Sequence, residues 1–135
     1  LVNPWHYKTL KKVDSKDLNV LAKINKSIPE LIYKLKVLEQ DFSFLNQNEI
    51  NAKTLLNKLK IPNAHLKFLF KYHCKLSIHE YLNLLKIALS IQLISQGFLN
   101  GQTIDSLSNA CHFDSRITFY KNFKKFTAVS PSEFT

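Results

Sequence analysis

The sequence predicts an all-α fold, and three observations carry that prediction. Glycine occurs twice and proline four times in 135 residues, too few for a chain built of hairpins and tight turns. Apolar residues recur three and four apart over most of the chain beyond residue 26, the spacing of one face of a helix. Cap residues stand where those patterns start and stop. With 45% hydrophobic and 21% charged residues, the balance is globular and excludes a largely disordered chain. The length allows one domain, or two small ones sharing a core.

Residues 1–26 scatter Trp5, Tyr7, Leu10, Val13, Leu18, Leu21 and Ile24 among lysines with weak periodicity, and are read as a linker or N-terminal extension. From Ser27 the pattern strengthens. Ser27 with Glu30 forms a capping box, Pro29 suits the first turn, and Leu31, Ile32, Leu35 and Leu38 share a face of a helix running to about Gln40. Asp41 to Asn48 is turn-prone. Leu55, Leu56 and Leu59 mark a short helix that stops before Pro62, and a second follows at once. That helix sets Leu66, Leu69, Phe70 and His73 against Ala64, Lys67, Phe68 and Lys71.

Ser77 to Gln96 is the longest helical pattern, with Gly97 as its stop. Its two apolar stripes, Ile78-Leu82-Leu85-Leu89 and Leu84-Ile87-Ile91-Ile94, require packing partners on two sides. Thr103 caps a short helix with Ile104 and Leu107; after Cys111-His112-Phe113, the Asp114-Ser115 pair caps another. In that last helix Phe119, Phe123 and Phe126 face the core and Ile117, Lys121, Lys124 and Lys125 face out. The chain thus holds one unit twice: short helix, tight turn, second helix with a basic outer face. The expected organisation is a first helix-turn-helix subdomain over 27–76, a linker helix over 77–97 and a second subdomain over 98–135. Such units place their second helix in the major groove of DNA.

The net charge of +9, from 19 basic and 10 acidic side chains, suggests a polyanionic partner. It is split evenly: residues 1–62 hold 11 basic and 6 acidic groups, residues 63–135 hold 8 and 4. Where the charges fall is therefore more informative than their sum. Two cysteines make no disulfide framework and fit a cytoplasmic location. The apolar run Ile87 to Ile94 falls short of the roughly 20 residues needed to span a bilayer. No signal peptide opens the chain, which lacks an initiating Met and reads as a fragment of a longer protein.

Thr103-Ile104-Asp105-Ser106-Leu107 to Phe113-Asp114-Ser115, followed by Phe119-Tyr120-Lys121-Asn122-Phe123-Lys124-Lys125 and Val129-Ser130-Pro131-Ser132-Glu133-Phe134, resembles the C-terminal signature of AraC/XylS-type transcription regulators. Leu55-Leu56, Ile61-Pro62, Leu66, Phe70-Lys71, Tyr81-Leu82 and Lys86-Ile87 extend the resemblance upstream, to about Leu31. It implies two homeodomain-like three-helix units on a central linker helix, and sequence-specific binding of double-stranded DNA without cofactor or enzymatic activity. It also implies base contacts by Arg116, Ile117, Thr118, Tyr120 and Lys121 in the second unit and by Asn63, Ala64, Lys67 and Phe68 in the first. Phosphate contacts fall to Lys71, Lys124 and Lys125. RNA polymerase and an upstream sensor or dimerisation domain, with any membrane anchor lying there, are further partners it brings into view. The sequence departs from the pattern at His112 and Ala128, where the family has glycine, and at Ser108, which stands at the family's small residue in the preceding helix. A left-handed backbone at His112 would cost about 1 kcal/mol. Phe68 stands where the family often has a polar or basic residue.

Other readings stand beside these. Arg116, the only arginine, suits a bidentate contact to guanine, a phosphate contact, or a carboxylate such as Asp114. The lysines of the second helices make either a phosphate-binding or a merely solvated face; Lys8, Lys11, Lys12 and Lys16 have no geometry beyond solvation. Tyr120 packs at the core rim or touches DNA. Cys111 beside His112 is an activated thiol or a buried cysteine. His73, Cys74, His79, Cys111 and His112 lack the paired spacing of a zinc site, and no phosphate loop or nucleophile elbow is present. A basic helical module binding a partner protein is the alternative to DNA binding.

Overall fold

Caps and chain breaks set the boundaries of the helices. In the computed structural model, which describes residues 1–7 and 12–134, nine α-helices follow one another among the described residues. They are α1 (Leu18–Ile24), α2 (Ile28–Leu38), α3 (Phe42–Gln47), α4 (Ala52–Leu59), α5 (Asn63–His73), α6 (Ile78–Ser95), α7 (Ile104–Ala110), α8 (Arg116–Thr127) and α9 (Pro131–Phe134). Lys8, Leu10 and Lys11 lie outside the described residues. No helix among those described is long and apolar enough to cross a membrane.

Side-chain caps begin six of the helices, the last by Ser130 accepting from Glu133 N at 3.3 Å at α9. Asn51 and Thr54 form a reciprocal capping box at α4, as do Ser77 and Glu80 at α6. Asp41, Thr103 and Ser115 accept from the backbone N–H three residues on at α3, α7 and α8. Each such cap contributes about 1 kcal/mol. The expected box at Ser27 does not form: Ser27 has φ −94° and ψ −9°, with no side-chain cap bond. α1 runs through a 3₁₀ turn at Asn25–Ser27 directly into α2, so Ser27 lacks the extended backbone an N-cap residue needs. Asp41 to Asn48, expected as a turn, is the capped helix α3.

α6 is the axis of the fold. Tyr81, Leu84, Leu85, Ile87, Ala88 and Leu89 are buried along it, and it packs against α3, α7 and α8. Both apolar sides thus have partners. Gly97 ends it at φ 87°, where a Cβ would meet the Asn100 amide at 2.9 Å.

The stretch expected as a linker is packed into the structure. Trp5, 4% exposed, bridges antiparallel to Cys74, with His6 N donating to His73 O at 3.0 Å and Lys75 N to Pro4 O at 2.8 Å. Its ring lies 5.2 Å from Phe70 and 5.3 Å from Tyr81. Trp5 Nε1 and Tyr81 Oη both donate to Glu39 Oε2, at 2.9 and 2.7 Å. Burial, then the Glu39 carboxylate, pushes the Tyr81 phenol well above its usual range. These contacts join the N-terminus, α2, α5 and α6, and α1 then packs against α5. Sequence spacing could not reveal this, because the partners lie 34 or more residues away.

Candidate nucleic-acid interface

The two units repeat the same pattern of buried positions. Leu55 in α4 corresponds to Leu107 in α7, and Leu66 and Phe70 in α5 to Phe119 and Phe123 in α8; all are buried. His73, 5% exposed, stands where α8 has Phe126 at 4%. Each turn between the paired helices holds one non-glycine residue in the left-handed region, Lys60 at φ 57° and His112 at φ 67°. Ala128 adds a third at φ 68°, closing α8. The departures from glycine noted at His112 and Ala128 therefore fall where the backbone does turn left-handed.

In the second unit the three phenylalanines anchor one side of α8 and leave the opposite side to solvent. Arg116, Ile117, Thr118, Lys121 and Lys124 are exposed, Ile117 to 69%. Arg116 lies over the half-buried Tyr120 ring, its guanidinium 5.2 Å from the centroid, with Nη2 donating to Tyr120 Oη at 3.4 Å. Its carboxylate neighbour is Asp105 of α7, at 3.5 Å, in place of the expected Asp114. Tyr120 first, then Asp105, raises the basicity of the guanidinium. Tyr120 packs at the core rim, resting edge-on against Phe119, and supports Arg116 on its outer side. Lys125 bonds to Glu80 Oε2 at 2.9 Å, tying α8 to the start of α6. The Ser77 backbone N–H, then Lys125, holds the Glu80 carboxyl down at about 2.

The first unit presents a different surface. Asn63, Ala64 and Lys67 are exposed. Phe68 is not: it is 3% exposed, with its ring 4.6 Å from Tyr72 and 6.4 Å from His73. The expected base contact at Phe68 is therefore corrected to a core position: the side chain that periodicity alone assigned to solvent is buried, on a helix against which α1 packs. Lys71, expected on phosphate, bonds to Asp14 Oδ2 at 2.6 Å and Asp17 Oδ2 at 2.8 Å. Tyr72 Oη donates to Asp17 Oδ2 at 2.6 Å and accepts from Asp14 N at 3.1 Å. The two aspartates raise the Lys71 pKa, Asp14 first, and Lys71 with Tyr72 lowers that of Asp17.

A family model described as a helix-turn-helix domain matches residues 55–135. The chain belongs to the AraC-type helix-turn-helix family. The match runs from within α4 to the last residue, and leaves α1, α2 and α3 outside it. The transcriptional regulatory protein HptR of Staphylococcus aureus, in strains NCTC 8325 / PS 47 and MSSA476, is 25% identical over 88 residues. That alignment covers 65% of this chain and 33% of the relative, so the chain spans about a third of the length of the curated relatives it matches. No solved structure matches the chain.

The AraC-type resemblance does not bring in Asp14, Asp17, Tyr72 and Glu80, which hold two of the expected phosphate-contact residues, Lys71 and Lys125. The one signal for the aspartates was a pair of acids three apart within a lysine-rich stretch. Cys111 is fully buried and its thiol is pushed up to about 12 by that burial, the opposite of activation. Among the described residues no three His, Cys, Asp or Glu side chains gather as a metal site would require.

Proposed function

We propose that this chain binds double-stranded DNA sequence-specifically as the DNA-reading part of a transcription regulator, with α8 as its principal reading helix. The observation that carries the proposal is the outer face of α8. An isoleucine 69% exposed stands in the first turn of a helix whose other side is sealed by three phenylalanines, beside an arginine already oriented on a tyrosine ring. In the major groove such an isoleucine has a thymine methyl as its apolar partner. Arg116 supplies the planar donor fork that matches guanine O6 and N7, with Thr118, Tyr120 and Lys121 reaching neighbouring base edges. Lys124 takes a phosphate, and Lys125 does so on leaving Glu80. Asn63, Ala64 and Lys67 of α5 form the second reading head. α6, about 27 Å long for its 18 residues, separates the heads on the scale of the roughly 34 Å between successive major-groove segments on one DNA face.

The test is fluorescence anisotropy with duplexes enriched from a randomised pool, titrated over a range of salt. Affinity should fall linearly with salt on a log-log plot, and absence of binding above a scrambled acidic competitor refutes the proposal. Arg116→Ala should lower discrimination at one or two base pairs by about 1–3 kcal/mol, while Lys124→Ala should weaken all duplexes alike and reduce the salt slope by about 1. Equal effects of both variants on every duplex would overturn this division of roles.

A further inference from the structure

Corresponding positions of the two reading helices are treated in opposite ways. α8 exposes Lys121 and Lys124; the equivalent residues of α5 are Phe68, buried, and Lys71, held by two aspartates. The next position is Lys125 in α8 and Tyr72 in α5, whose hydroxyl is bonded to Asp17. The groups that hold Lys71 and Tyr72 are Asp14 and Asp17, at the 3₁₀ turn Ser15–Asp17 that leads into α1, which packs against α5; all lie outside the residues that match the family. We infer that residues 13–24 are a displaceable cover on the first reading helix, competing with DNA for Lys71, Tyr72 and the side of α5 that holds Phe68. This rests on the DNA-binding reading above.

The chemistry of the contact is that of a phosphate substitute. Two carboxylates converge on one ammonium group and one phenol, the donors that phosphate oxygens would otherwise engage. The cover is also weakly built. α1 has seven residues, far fewer than an isolated helix needs in water. Asp17 sits at its N-cap position but makes no cap bond, its carboxylate being spent on Lys71 and Tyr72. Ile24 is the only residue of α1 that is buried, and Leu18 is 51% exposed. By contrast, Pro4, Trp5 and His6 are pinned to His73, Cys74 and Lys75, so a displaced cover stays tethered beside its site.

The experiment compares the whole chain with its Asp14→Asn/Asp17→Asn variant, using selected duplexes, and adds Glu30→Gln/Glu49→Gln as a control for the same loss of negative charge. The expected result is an affinity gain of up to about tenfold, as for a binding surface open about one-tenth of the time, with a salt slope steeper by about 1 as Lys71 takes a phosphate. The control should gain much less. In a Lys71→Ala background the gain should shrink, since the two changes act on one contact. Hydrogen exchange gives a readout apart from affinity: amides of α1 should lose protection when DNA binds. Footprinting should show one protected major-groove segment at low concentration for the parent chain and two for the variant. Equal gains from variant and control would overturn the cover. So would α1 amides that stay protected while two segments are covered, or weaker binding by the variant, which would make the segment part of the DNA surface through Lys16 and Lys23. Absence of DNA binding by every form would instead refute the functional proposal.

Discussion

Ala128→Gly should stabilise the fold by about 0.5–1 kcal/mol without altering DNA affinity. Ala128 ends α8 with φ 68° and ψ 0°, its N–H bonded to Lys124 O at 2.9 Å. A left-handed backbone costs a residue with a Cβ about 1–2 kcal/mol, a cost glycine does not bear. Glycine in turn loses about 0.5–1 kcal/mol more conformational freedom on folding, and the difference is the expected net gain. The side chain is a single exposed methyl, so no packing offsets it. Trp5 is the only tryptophan, 4% exposed and packed on Phe70 and Tyr81, which makes its fluorescence a direct report of unfolding in urea. At a slope of about 2 kcal/mol per molar, the midpoint should rise by about 0.3–0.5 M. His112→Gly at φ 67° should gain less, because histidine is among the residues that tolerate this region. Lys34→Gly, inside α2, is the control and should lose about 1 kcal/mol. If Ala128→Gly lowers the midpoint, or moves with the control, strain at the end of α8 is not what separates this chain from the glycine-bearing family pattern.

Two further outcomes follow from buried and paired groups. Burial pushes the Cys74 thiol up to about 11 and the Cys111 thiol up to about 12, from 9.0, so thiolate at neutral pH is scarcer by about a hundredfold and a thousandfold. A chromogenic disulfide reagent should therefore react slowly with the native chain and rapidly with both cysteines after denaturation, and rapid native labelling would contradict the packing. Glu80, held at about 2 instead of 4.5, stabilises the folded state fully above pH about 4.5, and that contribution is lost as pH falls toward 2. Glu80→Gln should accordingly lose less stability than the parent chain between those values in Trp5-monitored unfolding. Parallel acid curves would show that the Ser77 and Lys125 contacts do not favour the carboxylate.

What was legible in the sequence is what depends on neighbours a few residues away. The caps at Thr103 and Ser115, the stop at Gly97, the two apolar sides of α6 and the Phe119-Phe123-Phe126 row all follow from spacing, and the structure forms them. Where local rules failed, a distant partner had intervened. Ser27 and Glu30 have the right spacing for a capping box, but the incoming α1 fixes Ser27 in a helical backbone. α3 escaped notice because six residues with a single cap give too short a period to count. Phe68 has the spacing of an outward residue and is buried, on a helix packed by α1 from more than forty positions earlier. Arg116 found its carboxylate on α7, not at the adjacent Asp114.

The same failures explain why charge was a poor guide to the candidate interface. A lysine is useful to a phosphate only if no carboxylate already holds it, and in this chain that condition separates the two units. Lys71 and Lys125 occupy adjoining register positions on α5 and α8 and both are paired, but their partners differ in kind. Glu80 belongs to the start of α6, whose capping box with Ser77 is rigid and would keep its geometry with Lys125 gone. Asp14 and Asp17 belong to a single 3₁₀ turn leading into a seven-residue helix in which Ile24 alone is buried. Releasing Lys125 requires only a side-chain swing, with Glu80 still satisfied by the Ser77 backbone. Releasing Lys71 strips Asp14 and Asp17 of their ammonium partner and Asp17 of the Tyr72 hydroxyl, which loosens the whole segment. On the inference drawn above, DNA engagement by the first unit is coupled to the order of residues 13–24 in a way that engagement by the second is not, and anything that stabilises α1 on α5 should weaken the first unit selectively.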